Sequence, residues 1–314
     1  MSKKIATREA YGEALLQLGQ ENPGVVVLDA DLAKSTKTID FGKHFPERFF
    51  DMGVAEQNMI STAAGLAAAG KIPFCSSFAI FATGRAFEQV RNSVAYSALN
   101  VKIGASHAGI TVGEDGGSHQ SVEDIALMRV LPNMTVFVPA DAVETAAAVR
   151  AAADIKGPVY IRLGRSGVPV LHGPGFRFVP GRAVTMKEGR DATIIATGIM
   201  VSAALEAANL LAGEGIEAGV LDIHTIKPLD IDAVVRAARS TGALVTAEEH
   251  SIIGGLGSAV AEAVMENCPV PVKRVGIPDR FGESGTPSEL LEKFGLTPEA
   301  LAMAVKEVVA RKDG

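Results

Sequence analysis

The sequence predicts an α/β protein made of two open, mostly parallel, doubly wound domains. Two observations carry this. Short aliphatic runs alternate with longer helical patterns along the chain, and the alternation is interrupted once, where Pro169, Gly173, Pro174, Gly175, Pro180 and Gly181 crowd together. Strands that alternate with helices imply crossover connections and parallel pairing. The Pro/Gly cluster has the composition of a linker. The division expected is a first domain at 1–170, a linker at 171–185 and a second domain at 186–314.

Taken in order, helical patterns fall at 7–19, 55–69, 85–96, 121–129 and 142–153, and aliphatic runs at 25–28, 101–105, 135–138 and 159–163. The first run, Val25-Val26-Val27-Leu28, is apolar at every position, as a strand buried on both faces requires. Beyond the linker, strands are expected at 192–196, 218–221, 243–247 and 270–275, with helices at 202–211, 231–238, 256–266 and 298–311. There is no internal repeat or low-complexity tract.

Composition sets the broad class. Hydrophobic residues make up 47% and charged residues 21%, enough apolar matter for sizeable cores and too much for disorder. A net charge of −6 argues against nucleic acid as the main partner, so an anionic substrate must be met by local positive charge. Cys75 and Cys268 lie in apolar surroundings without Cys or His at ligand spacing, which reads as core thiols in a reducing cytoplasm and no metal site. Met1-Ser2-Lys3-Lys4 runs directly into a helical pattern, so no signal peptide is expected. Lys71 splits the longest uncharged stretch, so a soluble protein without a membrane partner is expected.

In open α/β sheets, ligands bind beyond the carboxyl ends of strands. Three polar clusters follow strands, at 29–35, 107–120 and 162–166, all in the first domain. The middle one, Ser106 to Gln120, carries Gly109, Gly113, Gly116 and Gly117 with His107, His119, Glu114 and Asp115. Glycines let backbone fold closely on a ligand, and two of the chain's six histidines lie here, offering proton shuttles near neutral pH. An incidental surface loop is the plainer reading. A metal site lacks a third close ligand.

Glu56, in Asp51-Met52-Gly53-Val54-Ala55-Glu56-Gln57-Asn58, heads an Ala/Gly-rich apolar stretch, with Phe78 and Phe81 in another uncharged segment downstream. A buried acid resists ionisation and can share its proton with a partner. Beside flat apolar surfaces, it suits the holding of a heteroaromatic ring. Without Glu56 the two phenylalanines would read as plain core.

The first domain resembles the pyrimidine-binding domain of transketolase. The motifs are Ala6-Thr7-Arg8, Asp29-Ala30-Asp31-Leu32 with Ser35, the Glu56 segment, and Val112-Gly113-Glu114-Asp115-Gly116-Gly117-Ser118-His119-Gln120. Leu131-Pro132-Asn133, Pro139-Ala140-Asp141 and Ile161-Arg162-Leu163-Gly164-Arg165 extend the likeness, and the second domain resembles the transketolase C-terminal domain in length and layout.

The resemblance implies that Glu56 hydrogen-bonds the aminopyrimidine nitrogen of thiamine diphosphate and promotes deprotonation of its thiazolium carbon. It makes Phe78 and Phe81 the rings that enclose the pyrimidine. Phe81-Ala82-Thr83-Gly84-Arg85 carries one more residue than some relatives, which leaves open which of the two stacks. Asp115 would bind a sugar hydroxyl, and His107 and His119 would donate to substrate oxygens. Arg8, Ser35 and Arg165 would bind the terminal phosphate, a role for which Arg162 could compete. Asp31 would approach the cofactor or a subunit interface.

Transketolases hold the diphosphate and its cation through a Gly-Asp-Gly motif, and none occurs here. The implication is a C-terminal subunit of a split transketolase, inactive alone. It would join an N-terminal pyrophosphate-binding subunit that holds most of the cofactor and its Mg2+ or Ca2+, forming an α2β2 heterotetramer that acts on sugar phosphates. Two relatives share the plan: the β subunit of a 2-oxoacid dehydrogenase decarboxylase, which needs no phosphate patch, and the C-terminal part of a deoxyxylulose-phosphate synthase. A non-catalytic scaffold would have no use for Glu56, His107, His119 and Asp115 together. In the second domain, Gly254-Gly255-Leu256-Gly257 fails as a dinucleotide fingerprint because Val260 occupies the third glycine position. A tight turn opening a helix accounts for it better. His224 and Glu248-Glu249-His250 read as interface groups.

Overall fold

The computed structural model describes residues 4–312. Its first half contains β1 (Lys4–Ala6), α1 (Thr7–Glu21), β2 (Val25–Asp29), α2 (Ala33–Thr36), α3 (Ile39–His44), β3 (Phe49–Asp51), α4 (Glu56–Ala68) and β4 (Ile72–Phe78). It continues through α5 (Phe87–Gln89), β5 (Lys102–Ser106), α6 (Asp124–Val130), β6 (Thr135–Phe137), α7 (Ala142–Asp154), β7 (Val159–Arg162) and β8 (Gly167–Pro169). The second half holds β9 (Val184–Lys187), β10 (Ala192–Ala196), α8 (Met200–Ala212), β11 (Ala218–Asp222), β12 (Thr225–Lys227), α9 (Ile231–Thr241) and β13 (Leu244–Ser251). It ends with α10 (Leu256–Asn267), β14 (Val272–Ile277), α11 (Pro287–Lys293) and α12 (Pro298–Ala310).

A seven-stranded sheet runs β12-β6-β7-β5-β4-β2-β3, and a five-stranded sheet runs β14-β13-β10-β11-β9. Every pairing within them is parallel except those of β12 with β6 and β9 with β11. The sheets are therefore mostly parallel and helix-covered, as the alternation predicts. β2 shows the cause: Val26 and Leu28 pack with Met59 and Ile60, whereas Val25 and Val27 pack with Tyr11 and Leu15 on the opposite face. Each of these valines and leucines is at least 96% removed from solvent, so no polar position interrupts the run.

Among the departures from the sequence reading, three bear on how the sheets and the site are built. β4, near the middle of the first sheet, has no counterpart among the expected strands. Its Pro73 precedes the β4–β5 ladder, which starts at Phe74 opposite Lys102, so the strand tolerates a residue that cannot donate. Second, the helix expected at 85–96 begins earlier, with π-helical turns at Phe81–Arg85 and Val90–Ala95 around α5. Third, β12, from beyond the Pro/Gly cluster, completes the edge of the first sheet, so the two halves share a sheet.

The Pro/Gly-rich segment is itself tied down. β8 pairs antiparallel with β1, the backbone N–H groups of Leu171 and His172 donate to Asp141, and Phe178 packs edge-on against Phe137.

Candidate active site

Parallel strands bring their carboxyl ends to one edge of the sheet, and the candidate residues gather there. Phe78 ends β4, His107 follows β5, and Gly164 and Arg165 follow β7. Arg8 lies in the first turn of α1, and Glu56 is the first residue of α4.

Glu56 is 1% exposed. Its Oε1 accepts from Arg85 Nη1 at 2.8 Å, while its Oε2 is buried without a hydrogen-bond partner. Burying a carboxylate oxygen unpaired is costly, and such an atom calls for a donor. Arg85 is not among the residues that the sequence marks for the site. It is half-exposed, its guanidinium lies 4.4 Å from the Phe81 ring centroid, and it links the acid to the aromatic surface.

That surface has four rings. Phe78 stacks on His107 at 3.8 Å and lies 5.8 Å from Phe81, the planes within 13°. His119 turns its edge to Phe81 at 5.5 Å and to Phe78 at 6.3 Å. Flat faces beside an unpaired buried oxygen fit an aminopyrimidine, which needs stacking surfaces and one strong hydrogen-bond partner.

A polar wall adjoins the rings. Arg8 Nη1 donates to the Ser35 carbonyl at 2.9 Å and lies 3.3 Å from His107 Nε2. A guanidinium only donates, so Nε2 holds the lone pair and the proton sits on Nδ1, 2.9 Å from Ser106 Oγ. Burial first, then the charges of Arg8 and Arg165, push the His107 pKa down to about 3. In this arrangement His107 therefore accepts at Nε2, whereas the resemblance implies a donor. Ser35 likewise meets Arg8 through its carbonyl rather than its hydroxyl.

Arg165 donates to the Val112 carbonyl at 2.5 Å and pairs with Asp115 at 3.4 Å. Its charge also helps burial hold Arg8 below its ordinary value. The expected phosphate group and sugar group are thus direct neighbours. Arg162 does not compete for an anion. It is buried against Asp124, with its Nη2 also donating to the Glu249 carbonyl. Asp31, just after β2, is exposed and at φ 62°, with its backbone N–H donating to Asp51.

The Ser106–Gln120 segment is braced rather than flexible. Gln120 Nε2 donates to the carbonyls of Ile110, Gly113 and Glu283, and Glu249 accepts from the Thr111 N–H at 2.7 Å. At Gly109, φ is 78° and a Cβ would stand 2.2 Å from the Glu249 carboxylate, so only glycine fits. Glu248 caps α10 through the N–H groups of Leu256 and Gly257, so the Gly-rich turn does open a helix.

Two α/β units and a strand-end site that joins a buried acid to stacked rings define an α/β protein suited to a heteroaromatic ligand, and similarity to known proteins specifies it. Residues 3–170 match the transketolase pyrimidine binding domain and residues 181–301 the transketolase C-terminal domain. The 6-deoxy-6-sulfo-D-fructose transketolase subunit SqwH of Clostridium sp. (strain MSTE9) is 50% identical over 98% of this chain and 95% of its own. An apulose-4-phosphate transketolase subunit from Phocaeicola vulgatus is 40% identical over 98% of both chains. A solved split gene transketolase, described as an inactive beta4 tetramer, superimposes with a TM-score of 0.93 at 62% identity, covering 98% of this chain and 99% of its own. The chain belongs to the transketolase family, and subunits of split transketolases match it over nearly their full length.

Proposed function

We propose that this chain is the C-terminal subunit of a two-chain transketolase that moves two-carbon ketol units from ketose phosphates to aldose phosphates. It works with an N-terminal pyrophosphate-binding subunit in an α2β2 assembly, the partner holding most of the thiamine diphosphate and its divalent cation. The observation that carries this reading is Glu56 Oε2, buried and unpaired on an acid that Arg85 joins to the paired rings of Phe81 and Phe78.

When bound, thiamine diphosphate supplies a carbon nucleophile that stores the two-carbon unit between donor and acceptor. Glu56 would accept from, or share a proton with, the pyrimidine nitrogen at Oε2 while Arg85 fixes Oε1. Phe78 and Phe81 would exclude water from the pyrimidine faces. Arg8 and Arg165 would hold the terminal anion of the sugar, and Asp115, His107 and His119 its oxygens. The Clostridium relative is named for a sulfonated sugar and the Phocaeicola one for a sugar phosphate. Two guanidiniums recognise either tetrahedral oxyanion, so the acceptor and donor class includes both.

Glu56→Gln, mixed with the pyrophosphate-binding subunit, is expected to lower kcat about 10²–10⁴-fold with assembly intact. Full ketol transfer by that variant would remove the assigned role. Arg165→Ala should raise KM for phosphorylated or sulfonated ketoses far more than for uncharged ones.

A further inference from the structure

Outside that site, a second polar cluster lies where three segments meet. Glu144 is in the first turn of α7, His172 follows β8, and Asp222 ends β11. Glu144 and Asp222 are fully buried and His172 is 9% exposed. His172 Nε2 stands 3.6 Å from Asp222 Oδ2 and 3.9 Å from Glu144 Oε1, and one ligand atom from each residue falls within 4.8 Å of the others. Glu144 Oε1, His172 Nε2 and both Asp222 oxygens have no hydrogen-bond partner. Three adjoining buried side chains whose facing polar atoms lack a donor require a cation or protons.

We propose that Glu144, His172 and Asp222 bind a divalent first-row transition-metal ion that fastens the second half of the chain to the first. The imidazole is already oriented for it. Asp141 Oδ2 accepts from the backbone N–H groups of Leu171 and His172 and lies 3.2 Å from His172 Nδ1. An ionised Asp141 keeps the proton on Nδ1 and aims the Nε2 lone pair at the two carboxylates, the carboxylate–imidazole support common behind metal ligands. Asp141 also accepts from the Glu144 N–H, and acceptance of several N–H groups favours its ionised form.

Charge and distance agree with this assignment. Bonds of about 2.0–2.2 Å in a tetrahedral site place ligand atoms about 3.4 Å apart, close to the 3.6 and 3.9 Å that separate His172 Nε2 from the two carboxylates. Two carboxylates buried this close together repel each other when both are ionised. A dication removes that cost by neutralising both. One imidazole with two carboxylates suits zinc, manganese or iron better than magnesium or calcium, which take oxygen ligands. The Phe176 ring, 4.2 Å from His172, covers the outer side.

The competing occupant is the proton, with an imidazolium beside a carboxyl–carboxylate pair. Metal uptake separates the two. The untagged full-length chain, without cofactor or partner subunit, is stripped with chelator and dialysed against Zn2+, Mn2+ or Mg2+. One equivalent of zinc or manganese per chain, no retained magnesium and a higher Tm with metal are expected. Asp222→Asn and His172→Gln should each lose the equivalent. No uptake, or equal uptake by the variants, overturns the site. X-ray absorption of the zinc-loaded parent needs no variant: one imidazole with oxygen ligands supports the assignment, and sulfur or several imidazoles overturns it.

Discussion

Glu56 shows how far a single residue can be read from sequence. An acid at the head of an apolar stretch announces its burial, and the structure buries it. Its partner is not readable in the same way. Arg85 lies 29 positions away and meets Glu56 only because α4 and the helical segment after β4 pack side by side. His107 carries a similar lesson. Its place in a Gly-rich loop marks it as functional, but its tautomer is set by Arg8, 99 positions distant. With its pKa pushed down to about 3, His107 stays neutral throughout the working range. Nitrogen NMR of the labelled chain should show a neutral, Nδ1-protonated imidazole between about pH 5 and 8. Titration near 6.5, the ordinary value, would contradict this geometry.

At the scale of elements, strands apolar at every position are legible, because burial on both faces leaves no polar alternative. Elements whose sequence is mixed are not. β4 carries Pro73 and two serines, which hide it, although it presents Phe78 to the site. Periodicity starts the following helix at 85, whereas wider turns precede and follow that point. The Ala86 N–H bonds back to the Phe81 carbonyl and the Tyr96 N–H to the Arg91 carbonyl, each five residues earlier.

The β13–α10 junction yields a pH prediction. Glu248 caps α10 from a fully buried position, and burial, only partly offset by the Gly257 and Leu256 N–H groups, pushes its pKa up to about 7. A carboxyl raised in the folded state costs nothing below its ordinary value of 4.5, and the cost grows until pH reaches about 7. Glu248→Gln should therefore gain stability relative to the parent as pH rises from about 5 to 8, measured by urea denaturation at both ends. A difference that does not change with pH would mean that Glu248 does not titrate.

At the scale of the whole molecule, the two halves share more than a chain. β12 closes the first sheet, Glu249 and Glu283 brace the Gly-rich loop, and Arg162 is neutralised in part by Glu249 from the second half. Removing one partner of a buried ion pair costs about 3–5 kcal/mol, a large share of the ~5–15 kcal/mol that holds a domain folded. A fragment ending near residue 180 would leave Arg162 short of Glu249 and β6 without its outer neighbour. It is expected to show no cooperative unfolding transition in calorimetry, and a sharp transition would show that the first half folds on its own.

Local chemistry determined much of this protein from sequence alone. Alternating aliphatic and helical segments set an α/β fold with parallel sheets, and motif order placed the chain with the transketolases. The buried acid, the paired phenylalanines and the Gly-rich histidine loop marked one edge of the first sheet. These are properties of short segments, and burial and periodicity act over a few residues. Tertiary structure alone decided which groups face each other: Arg85 on Glu56, Arg8 on His107, Asp115 on Arg165, Glu249 beneath Gly109, and the Glu144–His172–Asp222 cluster. Each of these joins residues from separate elements. Hydrogen bonds and charges act over a few ångströms, so such pairings exist only once packing has brought distant parts of the chain together.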